Sequence, residues 1–183
     1  MRLSALAAAL LLCTGSAAFA ASDDAVADVP HVLMPASPLA QAFAQDAGMG
    51  NQFEITTSQI ALEKSQDPKV RLFAQKMLND HHKAEMALTR VAAPQGLTTH
   101  FMFDQASQAK IDQLQNLTGQ AFDEDYWVLQ RDAHAATIAA LGNYAATGQD
   151  PALRAWARET LPVVVGHQRL IADLTGTSAV ALR

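Results

Sequence analysis

The sequence has little of several things on which particular protein classes depend. Among its 183 residues there is a single cysteine, Cys13, and 13 Lys and Arg stand against 18 Asp and Glu. The resulting formal charge of −5 gives no basic surface, which argues against nucleic acid as a partner. Only 6% of the residues are aromatic, and no hydrophobic run reaches the roughly 20 residues that a transmembrane helix needs. Half of the residues are nevertheless hydrophobic, which suits one ordinary folded domain.

The N-terminal residues have the pattern of an export signal. Arg2 supplies a positive charge, residues 3–12 form a short apolar run, and Ala18-Phe19-Ala20 is typical of a cleavage site. We expect cleavage after Ala20 and a periplasmic product that lacks Cys13, and therefore has neither disulfides nor thiolate ligands. The predicted organisation is a signal peptide at 1–20, a flexible leader at 21–37, a four-helix bundle domain at 38–174 and a C-terminal tail at 175–183.

Helix signals dominate the remainder of the chain, and strand signals are nearly absent. Ser37-Pro38, Asp67-Pro68 and Asp150-Pro151 each combine a residue that caps a helix N-terminus with the proline that suits the first helical position. The pattern predicts an all-α, four-helix bundle whose long connection between the second and third long helices carries a short extra helix. This connection fits a crossover topology as well as an up-down one. The predicted helices are 38–65, 68–93, 104–117, 119–147 and 151–174.

Each of the four long helices carries one polar residue within its apolar stripe. On the first helix the stripe contains Phe43, Ala47, Gly50 and Ala61, and the polar residue is Glu54. The corresponding residues on the other helices are His81, His134 and His167. At a rise of about 1.5 Å per residue, Glu54 and His81 should lie level, whereas the two later histidines differ by about 7 Å along the axis. Glu85 and Asp123 share these faces.

Imidazole and carboxylate groups without thiolate are ligands that suit Zn, Fe, Mn, Cu or Ni. One hypothesis is therefore a single transition-metal ion held in the bundle core by Glu54, His81, His134 and His167. Glu85 and Asp123 would orient those ligands from outside. The alternative is a metal-free bundle, structural or stress-related, in which the same four residues form a buried hydrogen-bond network.

Three segments resemble one family of exported bacterial proteins, domain of unknown function 4142. They are VRLFAQKMLNDH, which ends at His81, GQAFDEDYWVLQRDAH, which ends at His134, and Leu161-Pro162 followed by His167. The resemblance implies a ferritin-like bundle and a periplasmic location, and it implies no particular reaction. Di-iron bundles use Glu-x-x-His motifs. Leu78 and Val164 stand where the glutamates would be, so we expect no di-iron ferroxidase or oxygenase chemistry.

No motif identifies an enzyme. The sequence contains no nucleophile constellation, no Gly-rich phosphate loop and no dinucleotide fingerprint, so we expect no organic cofactor. The question of catalysis stays open, with a binding or structural role favoured. A bundle that binds a small molecule is a weaker third reading. The sequence predicts neither a protein partner nor an oligomeric state.

Overall fold

The computed structural model describes residues 37–177, which form helices and connecting loops with no β-strand in that range. The predicted signal peptide, nearly all of the predicted leader and residues 178–183 of the tail lie outside the described residues. Within residues 37–177 no helix combines the length and the apolar character needed to span a bilayer. The helices are α1 (Pro38–Lys64), α2 (Pro68–Ala92), α3 (Gln105–Asn116), α4 (Gly119–Thr147) and α5 (Pro151–Thr175), with a 3₁₀ turn at Ala93–Gln95.

The predicted helix starts are confirmed by their capping contacts. The side chains of Ser37, Asp67 and Asp150 each accept a hydrogen bond from a backbone N–H in the first turn of the helix that follows. Asp104 caps α3 in the same way. Each side chain satisfies one of the N–H groups that a helix N-terminus leaves without an intrahelical partner. Local sequence therefore determines where these helices begin.

Two apolar clusters occupy opposite ends of the bundle and reveal its topology. One contains Ile60 near the C-terminal end of α1, Phe73 near the start of α2, Phe122 at the start of α4 and Ile171 near the end of α5. The other contains residues from the opposite end of each of these helices, including Ala44, Leu88, Leu141 and Trp156. α2 and α4 therefore run in the same direction, and each is antiparallel to α1 and α5.

Because α2 ends at one end of the bundle and α4 begins at the other, the connection between them must cross the bundle lengthwise. α3 lies on this path and places Ile111 and Leu114 in the first cluster. Earlier in the sequence, at Thr99, the connection passes close to α1. A Cβ atom at Gly48 would lie only 1.9 Å from the Thr99 carbonyl oxygen. Of the two topologies that the sequence allowed, the structure has the crossover.

Candidate metal centre

A layer of polar side chains separates the two apolar clusters at mid-bundle. Its centre consists of His81 from α2, His134 from α4 and His167 from α5, which are 5%, 1% and 1% exposed. One ring nitrogen from each histidine lies within 4.8 Å of one ring nitrogen from each of the other two. The three histidines that the stripes placed on different helices therefore meet at one point.

His134 and His167 meet despite the axial offset expected from the sequence. Counted from the observed helix ends, His134 lies 13 residues before Thr147 and His167 lies 16 residues after Pro151. The difference corresponds to about 4.5 Å along the axis. Helical side chains lean toward the N-terminus of their own helix. The His134 ring is therefore displaced away from the α4–α5 turn and the His167 ring toward it, which closes the remaining gap.

Two of the rings donate one N–H to an oxygen that can only accept. Nδ1 of His134 lies 2.8 Å from the backbone carbonyl oxygen of Gln130. Nε2 of His167 lies 3.0 Å from the Asp80 carboxylate. In a neutral imidazole one nitrogen carries the proton and the other a lone pair. These partners therefore leave the lone pairs on Nε2 of His134 and on Nδ1 of His167.

The two lone-pair nitrogens face each other. Nε2 of His134 and Nδ1 of His167 lie 3.3 Å apart, and with both rings neutral neither carries a hydrogen to donate. His81 repeats the pattern, because its Nδ1 donates to the side-chain oxygen of Asn51 at 2.9 Å. Its Nε2 is buried without a hydrogen-bond partner among the described residues. Each ring thus has its proton directed outward, toward an acceptor of its own.

Burial keeps two of the three imidazoles, those of His81 and His167, neutral. Loss of hydration, reinforced by the neighbouring imidazoles, lowers the pKa of His81 from 6.5 to about 3. Burial also lowers the pKa of His167 to about 4, against the opposing effect of its hydrogen bond to Asp80. Asp80 itself loses some hydration, but hydrogen bonds from Lys76 and His167 lower its pKa to about 2. At neutral pH, His81 and His167 are neutral and the carboxylate beside them is charged.

Glu54 lies next to the triad without joining it. Its Oε1 is 3.7 Å from Nδ1 of His134, the nitrogen of that ring that faces Gln130. Burial raises the pKa of Glu54, while His134 and a hydrogen bond from Gln130 work in the opposite direction. Its Oε2 is buried without a partner among residues 37–177. The structure therefore brings together three of the four predicted ligands and places the fourth beside the outer nitrogen of one of them.

The two other predicted acidic residues make contacts away from the triad. Glu85 approaches the exposed rings of His82 and His100 at 3.9 Å and 3.5 Å. Asp123 accepts a hydrogen bond from the Ser65 hydroxyl near the α1–α2 turn. The acceptors that orient His81 and His167 are instead Asn51 and Asp80. Asp80 directly precedes His81 in the sequence, but nothing in its spacing indicates that it reaches α5.

A second set of hydrogen bonds links α1 and α4 on the Glu54 side of the layer. The Gln130 amide donates to the Thr57 hydroxyl at 3.2 Å, and the hydroxyls of Ser58 and Tyr126 lie 3.3 Å apart. Thr57 in turn donates to the Phe53 carbonyl oxygen at 2.9 Å. These contacts join α1 to α4 directly, although Oε1 of Gln130 and Oε2 of Glu54 have no hydrogen-bond partner among residues 37–177. The layer therefore contains a half joined by direct hydrogen bonds and a half in which lone pairs face one another.

Comparison with known proteins places the fold and the family. The crystal structure of a DUF305 fragment from Deinococcus radiodurans is similar, with a TM-score of 0.69, 17% identity and coverage of 79% of this chain and 99% of that one. The crystal structure of the "putative secreted protein DUF305" from Streptomyces coelicolor is also similar. Its TM-score is 0.62 and its sequence identity 18%, with coverage of 72% of this chain and 88% of that one. No curated protein matches the chain. The family described as domain of unknown function DUF4142 matches residues 32–174, and the chain belongs to that family.

Proposed function

We propose that this protein binds one transition-metal ion through Nε2 of His81, Nε2 of His134 and Nδ1 of His167. One observation carries the proposal: each ring gives its only N–H to a separate acceptor, so three buried lone pairs remain at the centre of the bundle. Metal-bound histidines characteristically donate their other N–H to a carboxylate, a backbone carbonyl or a water molecule. The Asp80 carboxylate and the Gln130 backbone carbonyl are acceptors of this kind, and the side-chain oxygen of Asn51 is the acceptor for the third ring.

The charges around the triad suit a cation. Three neutral imidazoles contribute no charge, so a divalent ion would depend on nearby carboxylates for compensation. Asp80 is ionised and contacts one ligand directly. Glu54, 3.7 Å from another ligand, would lose its proton more readily beside a cation. We therefore assign Glu54 to charge compensation and orientation of His134, in place of direct coordination.

The ligand set narrows the choice of metal. Imidazole nitrogens suit zinc, copper, nickel and iron far better than magnesium or calcium, which prefer oxygen. Three protein ligands also leave at least one coordination position open, as in catalytic rather than structural zinc sites. We further propose that residues 1–20 direct export to the periplasm and are removed by cleavage after Ala20. In the periplasm the bundle would sequester or sense the metal.

The metal-free network remains the second candidate, because the hydrogen bonds among Gln130, Thr57, Ser58 and Tyr126 form without an ion. The experiment that separates the two is elemental analysis of untagged mature protein, residues 21–183, recovered from a periplasm without chelators. We expect about one transition-metal ion per chain. His134→Gln should lose it while remaining folded by circular dichroism. His82→Gln, which removes a half-exposed imidazole from the same bundle, should retain it.

Thermal unfolding gives an independent measure of the same binding. A metal present at 100 times its Kd stabilises the folded state by about 2.7 kcal/mol. For a domain of this size, that raises the Tm by roughly 5–10 °C. A wild-type protein that carries no metal, and whose Tm is unchanged by zinc, copper, nickel, manganese or iron, would refute the proposal in favour of the network.

A further inference from the structure

A cavity of about 100 Å³ adjoins the triad on the side of the second apolar cluster. It lies among α1, α4 and α5, and its wall includes the rings of Phe43 and Trp156 and the aliphatic side chains of Leu141 and Val164. Gly50 also lines it, and a Cβ atom added there would meet no atom within 4 Å. The cavity wall is therefore mainly apolar, and part of the cavity volume exists because Gly50 has no side chain.

Two buried polar side chains line the cavity beside the triad, and each has an unused hydrogen-bonding atom. Asn51 and His81 are both 5% exposed. Among residues 37–177, Nδ2 of Asn51 and Nε2 of His81 have no hydrogen-bond partner. The first is a donor, and the second, because Nδ1 carries the proton, is an acceptor. Burying both unpaired costs free energy that a suitable ligand would recover.

We infer that this cavity binds a small neutral molecule with a hydroxyl group on an apolar body. A hydroxyl both donates and accepts, so one such group offers a partner to Nε2 of His81 and to Nδ2 of Asn51. The apolar body would then lie against Phe43, Leu141 and Trp156. A cavity of about 150 Å³ holds benzene, which has six non-hydrogen atoms, so the present one, at about 100 Å³, accommodates about four.

The charges near the cavity favour a neutral ligand over an anion. Asp46 contributes a carboxylate to the lining, which contains no Lys or Arg. Buried Glu54 adds another acidic group to the same layer of the bundle. An anion would therefore meet like charge and lose hydration without a cationic partner. The hydroxyls of Thr137 and Thr160, which also line the cavity, add further neutral hydrogen-bonding groups.

Binding of a hydroxyl compound in the cavity does not require the proposed metal. In the metal-free protein the hydroxyl hydrogen would go to Nε2 of His81, so binding can be measured after treatment with a chelator. The metal content of the same sample is determined separately by elemental analysis. Failure of the metal proposal and failure of the cavity proposal are therefore distinguishable.

The test compares three probes of similar size, each with four non-hydrogen atoms: propan-2-ol, isobutane and acetate. Binding to chelator-treated protein is followed by the fluorescence of Trp156, which lines the cavity, in a Trp127→Phe background, and by ligand-observed NMR. We expect propan-2-ol to bind with a millimolar Kd, at least tenfold more tightly than either of the others. No binding of propan-2-ol, or binding no tighter than that of isobutane, would overturn the inference.

Matched glycine variants locate the site. Gly50→Val should fill the cavity and weaken propan-2-ol binding at least tenfold, and Gly50→Ala, which adds one carbon, should weaken it by a smaller factor. Gly142→Val is the control, because a Cβ at Gly142 also meets no atom within 4 Å and Gly142 does not line the cavity. Equal binding by the Gly50 and Gly142 variants would place the ligand elsewhere and overturn the assignment.

Discussion

Acidification of the metal-free protein should destabilise it through the buried histidines. The folded-state pKa values of His81 and His167, about 3 and about 4, lie below the value of 6.5 for an unperturbed histidine. Between those values the unfolded chain binds protons that the folded chain does not. The free energy of unfolding therefore falls as the pH is lowered from 6.5, and at higher pH both states are neutral and the penalty disappears.

The size of the effect follows from the linkage relation. From pH 7 to pH 5 an unfolded-state histidine takes up most of one proton, which lowers the free energy of unfolding by about 2 kcal/mol for each buried neutral imidazole. His81 and His167 together give about 4 kcal/mol. Glu54 offsets part of this loss, because its folded-state pKa is raised and above the unfolded-state pKa the folded chain binds a proton that the unfolded chain does not. Asp80, with a pKa of about 2, acts only at lower pH.

Urea unfolding of the chelator-treated protein at pH 7, 6 and 5 measures this dependence. His81→Gln should reduce the loss between pH 7 and pH 5 by about 2 kcal/mol. His82→Gln serves as the control because it removes the adjacent ring, whose side chain is 52% exposed. Zinc should raise the free energy of unfolding at each pH without reducing the loss, because it would bind imidazoles that are already neutral in the folded state. If His81→Gln leaves the pH dependence of wild type unchanged, the argument from burial is wrong.

Two further predictions concern the surroundings of the site. Asp80→Asn should weaken zinc binding by 10- to 100-fold, measured by competition with a chromophoric chelator, because it replaces the charged acceptor that orients His167. Glu85→Gln, a matched change on the same helix, should alter the affinity by less than threefold, and equal losses would refute the assignment of roles. Gly48→Ala should lower the free energy of unfolding by about 1–3 kcal/mol, because the new methyl group meets the backbone of the crossover connection. Gly50→Ala, placed in open space on the same helix, should stabilise by up to about 1 kcal/mol. A crossover that moves aside without cost would make the two glycine variants equal in urea unfolding.

The helices were predictable because their ends are encoded locally. A capping side chain followed by proline identifies a helix start without tertiary information, and α1, α2 and α5 begin at the predicted residues. The topology was not predictable in this way. Whether the connection between α2 and α4 crosses the bundle depends on which apolar faces meet. Apolar periodicity shows that a face is buried but not which helix covers it.

The candidate site was predictable where one residue per helix interrupts an apolar stripe, as His81, His134 and His167 do. It was less predictable on α1. There the predicted face of Phe43, Ala47 and Gly50 is only partly buried, and the residues one position later, Ala44, Gly48 and Asn51, are fully buried.

α1 is covered by α2, α3 and α4, so it buries a face wider than one stripe. The width of this buried face explains why the sequence pattern did not indicate Asn51, which orients His81. Asp80 was missed for a related reason. Its neighbour His81 points into the core, so at about 100° per residue Asp80 reaches only the edge of that face, where it contacts α5.

The unequal halves of the polar layer lead to a final expectation about how binding and stability are coupled. The hydrogen bonds of Gln130, Thr57, Ser58 and Tyr126 join α1 to α4 without an ion. On the other side, α2 and α5 meet α4 through nitrogens that have lone pairs and no shared proton. A cation between them would convert a repulsive contact into three bonds from three helices. Metal should therefore slow hydrogen exchange most around His81 and His167, with less effect around Thr57, whose contacts already exist without it. Equal protection of both halves would show that the metal-free layer is already fully paired.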